Sequence, residues 1–155
     1  MENLSYKKLL KTKKFPSLEH NGEYLKKLRV LQEKILFIQR GIYHQKERVI
    51  IVFEGMDAGG KGGCIRRVTE LLDPRGFHVH PVSAPDPVEQ GTHWLYRFWK
   101  NIPAPGTIAI FDRSWYGRLL VERVELGLDP KDVKRAFREI RDFERTLVED
   151  GIKLV

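Results

Sequence analysis

The chain has 155 residues, 41% of them hydrophobic and 32% charged, which suits one globular domain and excludes a disordered tail or a disulfide-stabilised miniprotein. Its longest apolar run covers residues 49–53, whereas a membrane-spanning helix needs roughly 18 consecutive apolar residues. A single cysteine, Cys64, has no partner for a disulfide within the chain, so we expect a reducing, cytoplasmic setting.

The net charge of +7 is concentrated near the N-terminus. Residues 1–48 hold 12 lysines and arginines against 5 acidic residues, whereas residues 49–155 hold 16 of each. We therefore expect a basic N-terminal arm over residues 1–22 and a folded domain over residues 23–155. Such an arm fits recruitment of a polyanionic partner, and a solvated, solubilising segment is an equally good explanation.

The first half of the domain alternates helix and strand signals. Apolar residues recur at helical spacing over residues 23–40, which predicts an amphipathic helix that ends at Gly41. The β-branched run at residues 49–53 shows no alternation and is typical of a central parallel strand. Five glycines follow within residues 55–63, and residues 64–72 are predicted to be helical.

The second half continues the alternation. Strands are predicted at residues 77–82, 107–111 and 152–155, and helices at residues 88–100, 114–126 and 130–149. This order predicts a three-layer α/β/α fold with a parallel sheet. A buried strand needs a neighbour and a covering layer, so we expect the chain to be a fragment.

The glycine-rich stretch fits the frame G-x-x-x-x-G-K of a phosphate-binding loop, between a predicted strand and a predicted helix. Glycines let backbone N–H groups point at phosphate oxygens, and the helix N-terminus adds partial positive charge. For the loop, the alternative is a glycine turn that serves only helix packing. For Arg66 and Arg67, the alternative is that they are solvated charges on the helix surface. The candidate phosphate-binding residues are Gly55, Gly59, Gly60, Lys61, Gly62, Gly63, Arg66 and Arg67.

One position departs from the usual loop. Gly62 replaces the serine or threonine whose hydroxyl normally binds Mg²⁺, so other oxygens must hold the metal. Asp57 lies inside the loop, and Asp112 follows the predicted strand at residues 107–111, where carboxyl ends of parallel strands face the ligand crevice. We expect both aspartates to share Mg²⁺. The alternatives are an Asx turn for Asp57 and a helix cap for Asp112.

Two arginines follow Asp112 in the sequence. Arg113 and Arg118 carry planar guanidinium groups suited to phosphate, which makes them candidate catalytic residues beside Asp57, Lys61 and Asp112. Arg118 also lies four residues before Glu122, so a plain ion pair on a helix surface is the alternative for that arginine.

These motifs together resemble the polyphosphate kinase 2 family, through residues 53–63, 84–99 and 111–124. The loop with glycine in place of serine or threonine is itself that family's version. The resemblance implies transfer of phosphate between inorganic polyphosphate and ADP or AMP, with ATP or GDP also open, in a P-loop phosphotransferase domain at residues 23–155. It implies that Asp57 and Asp112 surround Mg²⁺ and that Lys61, Arg113 and Arg118 contact phosphates. It also implies a P-loop kinase-like sheet, which in this chain would be truncated before a helical lid and a last strand.

Two other functions stay open at this point. The first is an ATP-dependent nucleotide kinase of the thymidylate kinase type, although its loop would normally keep serine or threonine at position 62. The second is a non-catalytic module that binds polyanions or nucleic acid, which only the basic arm supports. We expect a homo-oligomer, no nucleic-acid partner and no membrane partner.

Overall fold

The structure is a computed structural model that describes residues 22–125 and 127–155. The predicted basic arm lies almost wholly outside the described residues, so its boundary stays a prediction. Contacts divide the chain into two units, residues 1–31 and residues 32–155. The elements are α1 (Gly22–Gln45), β1 (Arg48–Phe53), α2 (Lys61–Thr69), β2 (Phe77–Pro81), α3 (Pro87–Gln90), α4 (Tyr96–Trp99), β3 (Thr107–Asp112), α5 (Arg123–Glu125), α6 (Pro130–Glu149) and β4 (Lys153–Leu154).

The four strands form a parallel sheet in the order β2, β3, β1, β4. Strands β1 and β3 lie at its centre and pair from Arg48 opposite Thr107 to Phe53 opposite Asp112. Their continuous apolar sequences suit strands that are covered on both faces. The predicted strands are therefore found, although β4 is only two residues long.

Helices cover both faces of the sheet. On one face, α4 and α6 complete a core of Ile50, Leu95, Phe98, Ala109, Phe111, Trp115, Ile140, Phe143, Leu147 and Ile152. On the other, a smaller cluster consists of Val49, Ile65, Ile108 and Ile110, with Ile42 of α1 packed against it. Successive residues of β1 and β3 thus point to opposite cores, as the pleat of a strand requires. The predicted three-layer α/β/α fold is confirmed.

Helix α1 continues past Gly41, so the prediction that it ends there was wrong. Gln39 is 3% exposed and pairs with Asp73 in both directions: its Nε2 donates to the Asp73 carbonyl at 2.9 Å, and its Oε1 accepts from the Asp73 N–H at 2.8 Å. This tie, together with Ile42, holds the C-terminal half of α1 and offsets the cost of about 1 kcal/mol for a helical glycine. The helix ends instead before Lys46, whose φ is 57°.

Three further helices differ from the sequence-based predictions. Helix α2 begins at Lys61, three residues early, and the helix predicted at residues 88–100 is split into α3 and α4 around Gly91. The segment predicted as one helix at residues 114–126 contains a π-helical stretch, Arg118–Glu122, followed by α5. Within residues 22–125 and 127–155, no helix combines the length and apolarity needed to cross a bilayer.

His80 on the edge strand β2 gives the fold a pH dependence. Burial lowers the pKa of His80 below its usual range, and the nearby His78 acts in the same direction. The folded state therefore disfavours the protonated imidazole, and the free energy of unfolding should fall as the pH drops below roughly 6.5, where the unfolded chain takes up the proton.

We expect His80→Asn to reduce this acid-side loss of stability, because an amide does not titrate. Urea unfolding at several pH values between about 5 and 7.5 measures the effect. The control is His44→Asn, at an exposed position of α1, which should keep the wild-type slope. Equal slopes for the wild type and His80→Asn would contradict the assignment.

Candidate functional site

Two loops meet where β1 and β3 end. The register places Phe53 opposite Asp112, so the glycine loop after β1 and the segment after β3 leave the same edge of the sheet side by side. The backbone N–H of Arg113 donates to the Phe53 carbonyl at 2.9 Å, which extends the pairing one residue beyond the strands. Arg113 has a φ of 66°, a left-handed conformation that is uncommon for a residue with a side chain.

The glycine loop is tightly curled. The N–H of Gly59 donates to the Met56 carbonyl at 3.0 Å, and a Cβ at position 59 would lie 2.8 Å from that oxygen. Gly60 has a φ of 89° and immediately precedes α2. Lys61, the first residue of α2, donates its ammonium group to the carbonyls of Gly55 and Met56 at 2.8 and 3.0 Å. The loop therefore closes on itself with its backbone folded around the lysine.

A cavity of about 490 Å³ lies between this loop and the ends of β2 and β3. The structure brings together here six of the residues predicted from the sequence as site residues, and the segment after β2 forms the opposite wall. The lining residues are Ala58, Gly59, Gly60, Lys61, Gly62, Pro81, Val82, Ser83, Asp112 and Arg113.

Asp57 does not line this cavity. Its carboxylate contacts Arg113, which does line the cavity. The Asp57 side chain is 83% exposed and that of Arg113 is 41% exposed, so the ion pair is accessible to solvent. Asp57 thus pairs with the residue that follows Asp112 in the chain. Whether they share a metal stays a prediction.

The donor set fits a magnesium ion. Mg²⁺ is usually held by one or two carboxylates, with substrate phosphates and water completing its shell. Among residues 22–125 and 127–155, no group of three or more His, Cys, Asp or Glu residues could form a metal cage by itself. Exposed Asp57 and cavity-lining Asp112 therefore suit a cation that arrives with phosphate better than a permanently caged metal.

The other predicted residues of the loop and of α2 lie outside this cavity. The Arg67 guanidinium donates to the Gly63 carbonyl at 2.9 Å, and Arg66 is exposed. Gly55 contributes its carbonyl to Lys61. These positions form the continuation of the loop's surface, and their contact with phosphate stays a prediction.

Arg118 lines a second, larger cavity of about 960 Å³ that shares Val82, Ser83 and Arg113 with the first. The ion pair between Arg118 and Glu122, which the sequence offered as an alternative, is formed. The guanidinium carbon of Arg118 also lies 5.8 Å from the ring centre of Trp94. Within the described residues, its buried Nε has no hydrogen-bond partner.

Sequence reasoning missed the residues that brace the segment after β3. Ser114, 3% exposed, donates its hydroxyl to Glu54 at 2.6 Å. One oxygen of Glu144 accepts both the Trp115 indole N–H, at 2.8 Å, and the Tyr116 hydroxyl. Burial and then this hydrogen bond raise the pKa of Tyr116 to about 12. Only the position of Glu54, directly after a strand, was visible as a signal in the sequence.

A parallel α/β sheet with a glycine loop, a lysine at a helix N-terminus and acidic and basic side chains at the next strand end is characteristic of the P-loop kinase-like class. The family model for polyphosphate kinase 2 (PPK2) matches residues 18–155. The chain belongs to the polyphosphate kinase 2 family.

Curated relatives agree. The polyphosphate:AMP phosphotransferase of Pseudomonas aeruginosa is 48% identical over 140 residues, which cover 86% of this chain and 28% of that protein. The ADP-polyphosphate phosphotransferase 2 of Rhizobium meliloti is 38% identical over 133 residues, which cover 86% of this chain and 44% of that protein. The chain therefore spans less than half the length of these relatives.

Solved structures match the fold. A crystal structure of a polyphosphate kinase 2 from Pseudomonas aeruginosa superposes with a TM-score of 0.82 at 44% identity, covering 95% of this chain and 32% of that one. A polyphosphate kinase 2 from Arthrobacter aurescens gives 0.79 at 30% identity, covering 82% of this chain and 47% of that one.

We expect Gly59→Ala to weaken binding of tripolyphosphate about tenfold or more, because the added Cβ would force the Met56 carbonyl out of the loop turn. Isothermal titration calorimetry measures the loss. Gly41→Ala is the control: a Cβ there meets nothing within 4 Å, so binding should be unchanged while α1 gains about 1 kcal/mol. Unchanged binding by Gly59→Ala would show that the turn does not shape a phosphate site.

Proposed function

We propose that the protein transfers phosphate between inorganic polyphosphate and a nucleoside mono- or diphosphate. The observation that carries the proposal is the cavity in which the glycine loop, Lys61, Asp112 and Arg113 meet, joined to a larger cavity with aromatic walls. Phosphoryl transfer asks a protein mainly to position its substrates and to neutralise charge, and these residue types do both. The names of the relatives support the same reaction.

The pairing of the charged residues supports the glycine loop as the binding site of the donor. Around the larger cavity, Arg97, Arg118 and Arg135 each pair with a carboxylate, whereas Lys61 and Arg67 bond backbone carbonyls. Within the described residues, Lys61 and Arg67 thus carry positive charge without a carboxylate partner, whereas Arg113 pairs with Asp57. The start of α2 also presents the positive end of the helix dipole. A polyphosphate chain carries about one negative charge per phosphate, and the loop is the surface suited to it.

The acceptor nucleotide would occupy the larger cavity. Its volume of about 960 Å³ and its walls of Trp94, Phe98 and Trp115 suit a base and a ribose. Because Arg113 lines both cavities, it lies where the acceptor phosphate and the donor's terminal phosphate would meet. Arg118 would hold the acceptor's phosphate from the other side, at the cost of its pairing with Glu122.

Asp57 and Asp112 would hold Mg²⁺ between the loop and the segment after β3. The cation, when bound, supplies charge neutralisation at the phosphate oxygens. Gly62 lacks the hydroxyl that would otherwise bind the cation, so the two aspartates would take over that role. Lys61, freed from the carbonyls of Gly55 and Met56, would donate to the transferred phosphate. The predicted cytoplasmic setting and homo-oligomer are part of the same proposal.

The alternatives have less support. An ATP-dependent kinase of the thymidylate kinase type would normally keep the hydroxyl that position 62 lacks, and the relatives' names specify polyphosphate. A purely binding module would not need two joined cavities with acidic residues at the phosphate end. Whether AMP or ADP is preferred depends on the cavity's fit, and the relatives' names include both.

Incubating the full-length protein with Mg²⁺ and either AMP or ADP, with polyphosphate or ATP as donor, tests the proposal. We expect nucleotide products with polyphosphate, detected by chromatography. Products from AMP with ATP alone would favour the nucleotide kinase, and tight polyphosphate binding without any transfer would favour the binding module.

We expect Asp57→Asn and Asp112→Asn each to reduce transfer by at least about a hundredfold, because the amide loses the charge that holds the cation between the phosphates. Circular dichroism and urea unfolding should show an intact fold. Asp142→Asn, an exposed position on α6, is the matched control and should remain fully active. Near-normal turnover by either site variant would remove that aspartate from the metal site.

A further inference from the structure

The segment after β3 carries most of the proposed chemistry, yet residues 113–116 belong to no helix or strand, and the π-helical stretch begins only at Arg118. Asp112 ends β3, Arg113 adopts a left-handed conformation, and no α-helix begins until Arg123. A non-glycine residue at positive φ costs on the order of 1 kcal/mol or more and persists only where its surroundings hold it. Something outside the segment must therefore fix the direction of Arg113.

Two carboxylates from different parts of the chain supply that hold. Glu54, directly after β1, accepts the Ser114 hydroxyl, and that hydroxyl oxygen also accepts the Tyr116 N–H at 3.2 Å. Glu144, on α6, accepts from the side chains of Trp115 and Tyr116 with a single oxygen. Three consecutive residues are thus hydrogen-bonded to two separate elements.

One of the two donors to Glu144 is a side chain of the hydrophobic core. Trp115 is 1% exposed and packs edge-to-face against Phe98, Phe111 and Phe143. Its indole N–H would have no partner without Glu144. The hydroxyl of Tyr116, whose pKa is raised to about 12, remains protonated and so remains a donor at every pH at which an enzyme of this kind works. An ionised carboxylate is an acceptor only, which suits two converging donors.

Glu144 lines neither cavity, so it does not reach a substrate there. Trp115, which Glu144 contacts directly, and Gly117, which follows Tyr116, line the larger cavity. In the chain, both lie between Arg113 and Arg118. A shift of the segment by 1 Å would move Arg113 and Arg118 together, and a misplacement of that size can cost about a hundredfold in rate.

We propose that Glu144 is a positioning residue that orients Arg113 and Arg118 for phosphoryl transfer by fixing Trp115 and Tyr116. The inference rests on the proposed function for its catalytic consequence. It places a determinant of activity on α6, about thirty residues from the segment it controls and outside both cavities.

The test compares variants of Glu144 in the full-length protein. Glu144→Leu keeps the size of the side chain but removes both hydrogen-bond acceptors, and we expect kcat to fall about tenfold to a hundredfold, a larger change than the rise in KM for the nucleotide. Glu144→Gln keeps a carbonyl acceptor without the charge, so its kcat should lie between those of Glu144→Leu and the wild type. The control Asp142→Asn changes a neighbouring charge on α6 and should behave as the wild type.

A purely structural role predicts a different pattern. In that case kcat per folded molecule, with the folded fraction taken from urea unfolding, would stay within about twofold of the wild type for Glu144→Leu. That result overturns the proposal, and so does a Glu144→Gln variant no more active than Glu144→Leu. Should Glu144→Leu fail to fold, Tyr116→Phe removes one donor without leaving an unpaired acceptor, and its kcat must fall about threefold or more.

Binding of tripolyphosphate separates this inference from the proposed function. If the wild-type protein transfers no phosphate, the proposed function fails, and the inference is judged by calorimetry alone. Misdirected arginines should weaken tripolyphosphate binding about fivefold or more in Glu144→Leu and leave it unchanged in Asp142→Asn. Equal binding by these two variants in an inactive protein would overturn the positioning role.

Discussion

The parallel pairing of β1 with β3 is the constraint on which the site depends. Six consecutive residue pairs fix the register, so that Phe53 and Asp112 end their strands side by side. One further hydrogen bond, from the Arg113 N–H to the Phe53 carbonyl, carries the pairing into the loops. A slip of one residue would turn Asp112 to the opposite face of the sheet and exchange the two cores, so burial of both faces protects the geometry of the site.

Much of this arrangement could be predicted from the sequence because its determinants are local. Continuous apolar runs predicted β1 and β3, and the glycine frame with its lysine predicted the loop between β1 and α2. The position of Asp112 followed from one general rule about the carboxyl ends of parallel strands. Each of these predictions depends only on neighbouring residues and on the order of the elements.

The residues that escaped prediction act across long separations in the chain. Gln39 is polar and lies among residues with helical periodicity, yet it is buried because the backbone of Asp73 satisfies its amide. The predicted helix at residues 88–100 is split, while Glu89 pairs with Arg97 and Lys100 across the break. Glu144 reads in the sequence as one of many charges on α6. The periodicity of the sequence does not predict which hydrogen-bond donor such a carboxylate will contact.

The contacts of Lys61 have a consequence for anion binding. Its ammonium group already bonds two carbonyls of the loop, so the curl is preorganised before any anion arrives. The backbone carbonyls that now accept from the lysine hold the loop in one conformation. If phosphate binds as proposed, the loop therefore has little conformational entropy left to lose.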